Sequence, residues 1–488
     1  VQLAELVKDW PCTVKGSIRT EINHVEDDAR RVKSGDLFIA RKGKHYHGLT
    51  FLDEAMENGA VAIAVEDEMQ FDSLKLPIPI IWVPNCLSFL AFASAKLYGF
   101  PSEALTVIAV TGTNGKTTVT HFIGQLLNKL QHRVMVIGTN GVFIDGEKCY
   151  QELESLTTLQ AKHLQFLLSK ALEQKIDYVV LEASSMGLAN HRLDYCDVAL
   201  GVFLNVTEDH IEDHGSFDEY KKSKQILTKL TKKIVINNDD AVCRSIGIIA
   251  KNKKYYFGTG NKVDVHLQLL YETNNVSVCC IQADSEKHVV TLPIIGEYQR
   301  NNVLAALSSL VILGLPFHNL CQAAQSLSLP KGRFEQIPNP LGMAIYIDYA
   351  HTADAMKGIL QTLKKHTSNK LIVVFSCGGD RDQAKRPKMG MVASAFADYI
   401  ILTTDNSRGE SPQKINEQIK KGFSSLQQFE SVLDRQQAIE KAIKMAQQGD
   451  TVVILGKGHE QTQQIGKQTT HFSDKECVER ILKQLEVS

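Results

Sequence analysis

No stretch of this chain approaches the ~18 consecutive apolar residues of a membrane-spanning helix, and Val1-Gln2-Leu3-Ala4 lacks the basic segment and apolar core of a secretory leader. Neither a span nor a leader is expected. Net charge is also missing: 54 Lys and Arg against 55 Asp and Glu leave -1, so no global field would draw the chain to nucleic acid or an anionic membrane. The ten cysteines show no C-x-x-C pair, which reads as free, mostly buried thiols in a reducing cytoplasm rather than a disulfide frame or a zinc ribbon. There is no internal repeat and no low-complexity tract. At 488 residues the chain is too long for one core, and a prior of about 150 residues per domain suggests three.

What is present is organised around one strand-turn-helix. Leu105 to Val110 reads as a buried parallel strand, and Phe122, Ile123, Leu126, Leu127 and Leu130 recur at helical spacing. Between them lies Thr111-Gly112-Thr113-Asn114-Gly115-Lys116-Thr117-Thr118. Backbone N–H groups at a helix start, with its positive dipole end, hold phosphate oxygens. In such a loop Lys116 reaches the β- and γ-phosphates and the Thr117 hydroxyl holds Mg²⁺. The general motif has glycine where Val110 stands.

The rest of the chain alternates strands and helices, which predicts an α/β fold in three domains. Residues 1–98 form a small α/β unit with strands at Asp36 to Ala40 and Val61 to Val65 and an amphipathic helix from Phe51 to Asn58. A boundary is expected near Tyr98 to Ser102. Residues 99–330 carry further buried strands at Val134 to Ile137, Tyr178 to Leu181 and Val198 to Leu204. Ligands bind outside the carboxyl ends of such strands, so Glu182, Asn205 and the turn from Thr207 to His210 should converge on a nucleotide, with Glu182 placed to reach Mg²⁺. His210 and His214 form H-x-x-x-H, but Ile211 stands where a zinc protease has its base. One helix is predicted from Phe217 to Leu230, with Lys221 and Lys222 on its solvated face. Residues 331–488 bring strands at Ala344 to Ile347, Leu371 to Phe375, Tyr399 to Leu402 and Thr451 to Leu455. Their polar or glycine-rich ends would make a second ligand-binding edge.

In these motifs and their order the chain resembles the Mur ligase family, most closely its MurE type, which adds an amino acid to a UDP-N-acetylmuramoyl-dipeptide in peptidoglycan synthesis. The carriers are the phosphate loop, Glu182 to Ser185, Asn205 to His210, Tyr220 to Lys224, Asn302 to Ala306, Gly332-Arg333, Asp348 to Thr352, and the loops 377–382, 404–408 and 456–460. The resemblance implies a UDP-sugar-binding N-terminal domain, a central ATPase domain built on a P-loop parallel sheet, and a Rossmann-like C-terminal domain for the amino acid. It also implies ATP as co-substrate, two Mg²⁺ ions and a cytoplasmic monomer. Thr117 and Glu182 would bind one ion, and Glu182, His210 and Lys224 would surround the second, with Lys224 carbamylated. Asn302, Arg333 and Asp348 match positions that serve adenine, phosphates and ribose. Ala29, Arg30, Thr157, Thr158, Ser184, Asn190 and Arg192 match contacts to the UDP-sugar and its peptide.

For the acceptor amino acid, Asp405-Asn406-Ser407-Arg408 resembles the D-N-P-R loop of enzymes that add meso-diaminopimelate, whose arginine pairs with the distal carboxylate. Arg381, Gly456 and Glu460 match the same pattern, with Glu460 suited to the distal ammonium. The departures are Ala29 for a serine, Met186 for a histidine and Ser407 for the proline. They leave open a relative that joins another carboxylate and amine. A nucleotide switch would need N-K-x-D, which Asn237-Asn238-Asp239-Asp240 is not. A folate polyglutamate ligase would have no use for positions 157, 158 and 192.

Overall fold

A computed structural model describes residues 1–43, 47–154, 156–207, 211–260 and 262–487. Among the described residues three large sheets follow one another along the chain, and a two-stranded ribbon pairs Thr462–Ile465 with Gln468–His471. The first has five strands in the order Thr13–Lys15, Ile80–Trp82, Ala62–Val65, Leu37–Ile39, Val25–Glu26. All its pairings are parallel except the first.

The middle sheet has eleven strands. Inside it lies Thr106–Thr111, flanked by Val198–Phe203 on one side and Tyr178–Glu182 on the other, both parallel to it. Successive residues of a strand face opposite sides of the sheet, and the burial follows that rule. Ile108 and Val110 pack with Phe122, Leu126 and Leu304, while Val107 and Ala109 pack with Leu164, Leu168 and Leu181 on the other face. Both faces are therefore covered, which is why the strand reads as a continuous apolar run. Val110, where the general motif has glycine, lies within this sheet and is fully buried.

The sheet is parallel through its core, as expected, from Lys253–Gly258 to Val134–Gly138. Antiparallel pairs extend it at both edges: Val265–Glu272, Ser277–Ala283 and Glu286–Leu292 pair with one another at one, and Gly141–Ile144 pairs with Val134–Gly138 and Glu147–Cys149 at the other. The single helix expected over residues 217–230 is two pieces, Phe217–Gln225 and Leu227–Leu230, joined at Ile226.

The third sheet has the order Glu335–Gln336, Ala344–Asp348, Thr451–Leu455, Leu371–Phe375, Tyr399–Leu402, Phe429–Ser431. Its four long strands run parallel, so their carboxyl ends share one edge, as expected. All ten cysteines are free thiols, eight of them buried. Among the described residues no helix is long and apolar enough to cross a membrane.

Candidate active site

The phosphate loop joins Thr106–Thr111 to the helix Lys116–Lys129. Its two glycines are required by close approach. A Cβ on Gly112 would stand 2.9 Å from Leu204 Cβ, and one on Gly115, at φ +90°, would stand 2.6 Å from Asn302 Oδ1. Asn302 thus packs directly against the turn. Asn205 clips the loop from the neighbouring strand end: its Oδ1 accepts from Asn114 N at 2.8 Å and its Nδ2 donates to Asn114 O at 3.1 Å. The Lys116 ammonium folds back onto the loop, donating to the Gly112 and Thr113 carbonyls at 2.8 and 3.1 Å.

A cleft of about 530 Å³ opens over this loop. Lys116, Thr117, Glu182, Asn302, Arg333 and Asp348 all line it, as do Thr157 from the muramoyl-peptide set and Arg381 from the amino-acid set. Residues singled out for three different ligands therefore face one space.

Glu182 ends its strand almost wholly buried. Its carboxylate accepts from Thr139 N at 2.9 Å and from Thr139 Oγ1 at 3.2 Å, and the absent side chain of Gly138 leaves it room. With its one proton on Glu182, the Thr139 hydroxyl can accept from Thr157 Oγ1, 3.1 Å away. The Thr117 hydroxyl and the Glu182 carboxylate give the cleft hard oxygen donors. Mg²⁺ is held by one or two carboxylates plus substrate phosphates rather than by a protein cage. The donor set fits Mg²⁺. His210 lies outside the described residues. His214 is held between Ser185 Oγ at 3.0 Å and Ser223 Oγ at 3.1 Å.

Lys224 is 1 % exposed, which sets it apart from Lys222, exposed and paired with Glu219 on the same helix. Its Nζ donates to Gly112 O at 2.9 Å and lies 4.5 Å from the centre of the Tyr220 ring. The Tyr220 hydroxyl meets Thr113 Oγ1 at 2.9 Å. The helix from Phe217 is thereby docked on the phosphate loop.

The third sheet closes the cleft. Arg333 Nη2 donates to Thr117 Oγ1 at 3.1 Å, and its guanidinium stacks 4.5 Å over the Tyr349 ring. Asn114 Nδ2 donates to Thr352 Oγ1 at 3.4 Å. Asp348 accepts at 2.6 Å from both Phe334 N and Ala350 N. Burial raises its carboxyl to about 6 against the pull of Arg333 and these two N–H groups.

Thr158, Ser184 and Arg192 form one cluster beside Glu182. Thr158 Oγ1 bonds the Glu182 carbonyl at 2.8 Å and Ser184 Oγ at 3.0 Å, and Arg192 Nη1 donates to Thr158 O at 2.7 Å. The Arg192 Nε is buried with no partner among the described residues, and burial together with Arg41 lowers its pKa. Asn190 caps the short helix Ser185–Ala189. Ala29 and Arg30 stand elsewhere, in the first unit. The Ala29 side chain is in the core, and the exposed Arg30 pairs with Asp28 at 2.7 Å. That unit is tied to the middle one by Lys162, which reaches Asp27 at 2.6 Å and also contacts Glu26. Burial alone would raise the Asp27 carboxyl, but Lys162 and Arg41 outweigh it and hold it at about 2.

The amino-acid residues gather at the carboxyl edge of the third sheet. Asn406 Nδ2 donates to Glu460 Oε2 at 2.9 Å. A Cβ on Gly456, at φ +110°, would stand 2.5 Å from Asp405 Oδ2. Arg408 adopts φ +48°, and its Nη1 donates to Gly379 O at 2.8 Å. Sequence reasoning missed Lys457. It is fully buried and donates to Glu460 Oε2 at 2.7 Å and to Thr462 O at 2.6 Å. Its place between Gly456 and Gly458 was the only available signal. Thr139, which orients Glu182, was missed for want of any motif.

Family models match the chain along most of its length: the Mur ligase family catalytic domain over residues 21–96, the Mur ligase middle domain over 110–310, and the Mur ligase glutamate ligase domain over 332–458. The chain belongs to the Mur ligase family. Among its relatives, UDP-N-acetylmuramoyl-L-alanyl-D-glutamate--2,6-diaminopimelate ligase 2 of Clostridium acetobutylicum is 36% identical, covering 96% of this chain and 97% of that one. The similarly named ligase of Haemophilus influenzae is 35% identical over 95% and 96%. A solved structure of a UDP-N-acetylmuramoyl-L-alanyl-D-glutamate--2,6-diaminopimelate ligase superposes with a TM-score of 0.69 at 32% identity, covering 100% of this chain and 99% of that one. The MurF ligase of Thermotoga maritima in complex with ADP shares the fold, with a TM-score of 0.63 at 20% identity over 96% and 98%. The Mur ligase fold, three α/β units around a central mixed sheet, is the architecture described above.

Proposed function

We propose that this Mur ligase is an ATP-dependent ligase that joins meso-diaminopimelate to UDP-N-acetylmuramoyl-L-Ala-D-Glu for peptidoglycan synthesis. The observation that carries the reading is the shared cleft, where the phosphate loop, Thr157 and Arg381 face one space and Arg333 reaches Thr117 from the third sheet. The names of the relatives supply the substrates. Residues 1–98 hold the UDP-sugar, 99–330 the nucleotide and 331–488 the amino acid.

The reaction needs no protein nucleophile. The ATP γ-phosphoryl passes to the substrate's terminal carboxylate, giving an acyl phosphate and ADP, and the neutral α-amine then attacks the acyl carbon and expels phosphate. The protein's part is positioning and charge stabilisation. The loop N–H groups and Lys116 hold the phosphates, Asn302 faces the adenine and Asp348 the ribose. Thr117 and Glu182, with His210 and carbamylated Lys224, would hold two Mg²⁺ ions, which when bound neutralise phosphate charge. An amine takes up CO₂ only when neutral, and the carbamate replaces a cation beside the metal site with an anion. The near-complete burial of Lys224 against the Gly112 carbonyl supports that reading.

Ser407 favours a second reading, ligation of a different amine. Its Oγ is buried without a partner among the described residues, in a loop where diaminopimelate-adding relatives have proline. One experiment tests both: ADP release and product mass measured over a matrix of UDP-muramoyl-peptides and amino acids. Turnover greatest with the dipeptide and meso-diaminopimelate is expected. A different preferred pair would replace the first reading with the second.

A further inference from the structure

Behind the amino-acid loops lies an ion pair that the mechanism does not use. Arg435 opens the helix Arg435–Met445 and Asp474 opens the helix Asp474–Val487. Both side chains are 0 % exposed. Their contact is bidentate, Nε to Oδ1 at 2.7 Å and Nη2 to Oδ2 at 2.8 Å. A buried ion pair is weak grounds for stability, because two charges must leave water, so its other contacts are informative.

The remaining donors of the fork go to strand ends. Nη2 donates to the carbonyl of Leu455, the last residue of Thr451–Leu455, at 3.0 Å, and Nη1 approaches the carbonyl of Thr404 at 3.5 Å. Thr404 immediately precedes Asp405, and Leu455 immediately precedes Gly456. Gln463 adds a second donor, its Nε2 reaching Thr404 O at 3.0 Å. One planar guanidinium therefore spans the two points where the acceptor loops leave the sheet. Those loops meet in front of it, Gly456 against Asp405 and Asn406 against Glu460. Burial would lower the guanidinium's pKa, but Asp474, then Asp405 and Glu460, raise it, so the cation also faces the acids of the pocket.

We propose that Arg435, locked by Asp474, is a positioning residue for the acceptor amine: it ties the Thr404 and Leu455 carbonyls together and so sets the spacing of the Asp405–Arg408 and Gly456–Glu460 loops. Lysine cannot replace it, since an ammonium is a point donor without the fork that bonds a carboxylate and two carbonyls at once. The inference rests on those loops being the amino-acid site.

The test is steady-state kinetics of Arg435→Lys and of the double variant Arg435→Met with Asp474→Leu, which removes both charges and avoids leaving one buried alone. The expected result is a KM for the amino acid raised about tenfold, the loss of roughly one charged hydrogen bond, with the KM for ATP within about twofold. A merely structural pair would lower the melting temperature and leave that ratio untouched, which would overturn the proposal. Should neither variant fold, Gln463→Leu removes the second tether to Thr404, and an unchanged amino-acid KM there overturns it equally. Arg408→Ala serves as the control. If it raises the KM while the Arg435 variants do not, the positioning role fails alone; if none of them moves it, the assignment of the loops fails.

Discussion

Arg333 Nη2 stands 3.1 Å from Thr117 Oγ1, so two residues 216 positions apart share the mouth of the phosphate loop. Arg333 also lies on the Tyr349 ring, which fixes the plane of its guanidinium. Arg333→Lys keeps the charge but loses the planar stack and the directed bond. The expected outcome is a rise of about tenfold in the KM for ATP, corresponding to ~1.4 kcal/mol. An unchanged KM in ADP-release kinetics would remove Arg333 from nucleotide binding.

Lys116→Ala removes the only lysine of the loop itself. Loss of a preorganised charge of this kind costs about 100-fold or more in turnover, and ADP release should fall by at least that. Retention of the wild-type rate would rule out the phosphate-binding role.

Lys224→Ala distinguishes a carbamate from an ammonium. If the side chain works as a carbamate, the variant is inactive and short carboxylic acids such as formate or acetate restore part of the rate. Full activity without any addition would take Lys224 out of the mechanism, since its place against Gly112 would then be structural.

Arg408→Ala should weaken diaminopimelate by the ~1.5–3 kcal/mol of a charged hydrogen bond, roughly 10- to 150-fold in apparent affinity. The left-handed backbone at Arg408 costs free energy in any non-glycine residue, so the variant keeps that strain and the change reports the guanidinium. An unaltered KM discards the assignment.

Acid stability should carry the mark of Asp27. Its folded pKa of about 2 lies below the ordinary 3.8, so its contribution is present above the unfolded value and is lost as pH falls toward 2. The shift corresponds to about 2 kcal/mol. Asp27→Asn should therefore lower stability near pH 7 and differ less from the natural protein near pH 3, as read by urea unfolding at the two values. A difference independent of pH would show that the Lys162 pair is not what links the first two units to acid.

The strand-turn-helix at 106–129 and the strands Leu371–Phe375, Tyr399–Leu402 and Thr451–Leu455 were legible in the chain because each is buried on both faces, and a doubly buried strand leaves an unbroken apolar run. The antiparallel strands at the sheet edge were not. Val265–Glu272 alternates only from Val265 to Leu269, then runs on as Leu270-Tyr271 with exposed side chains beyond Leu267, so its period-2 signal is too short to mark the strand. The Gly-rich loop announced its own chemistry, since the glycines, Lys116 and Thr117 are neighbours and act through local backbone geometry. Which partners those residues meet is a different matter. Arg333 on Thr117, Lys224 on Gly112 and Arg435 beneath the ends of two strands are decided by how the sheets face and how helices dock on them. These contacts join residues 20 to 216 positions apart, and no local pattern records such packing.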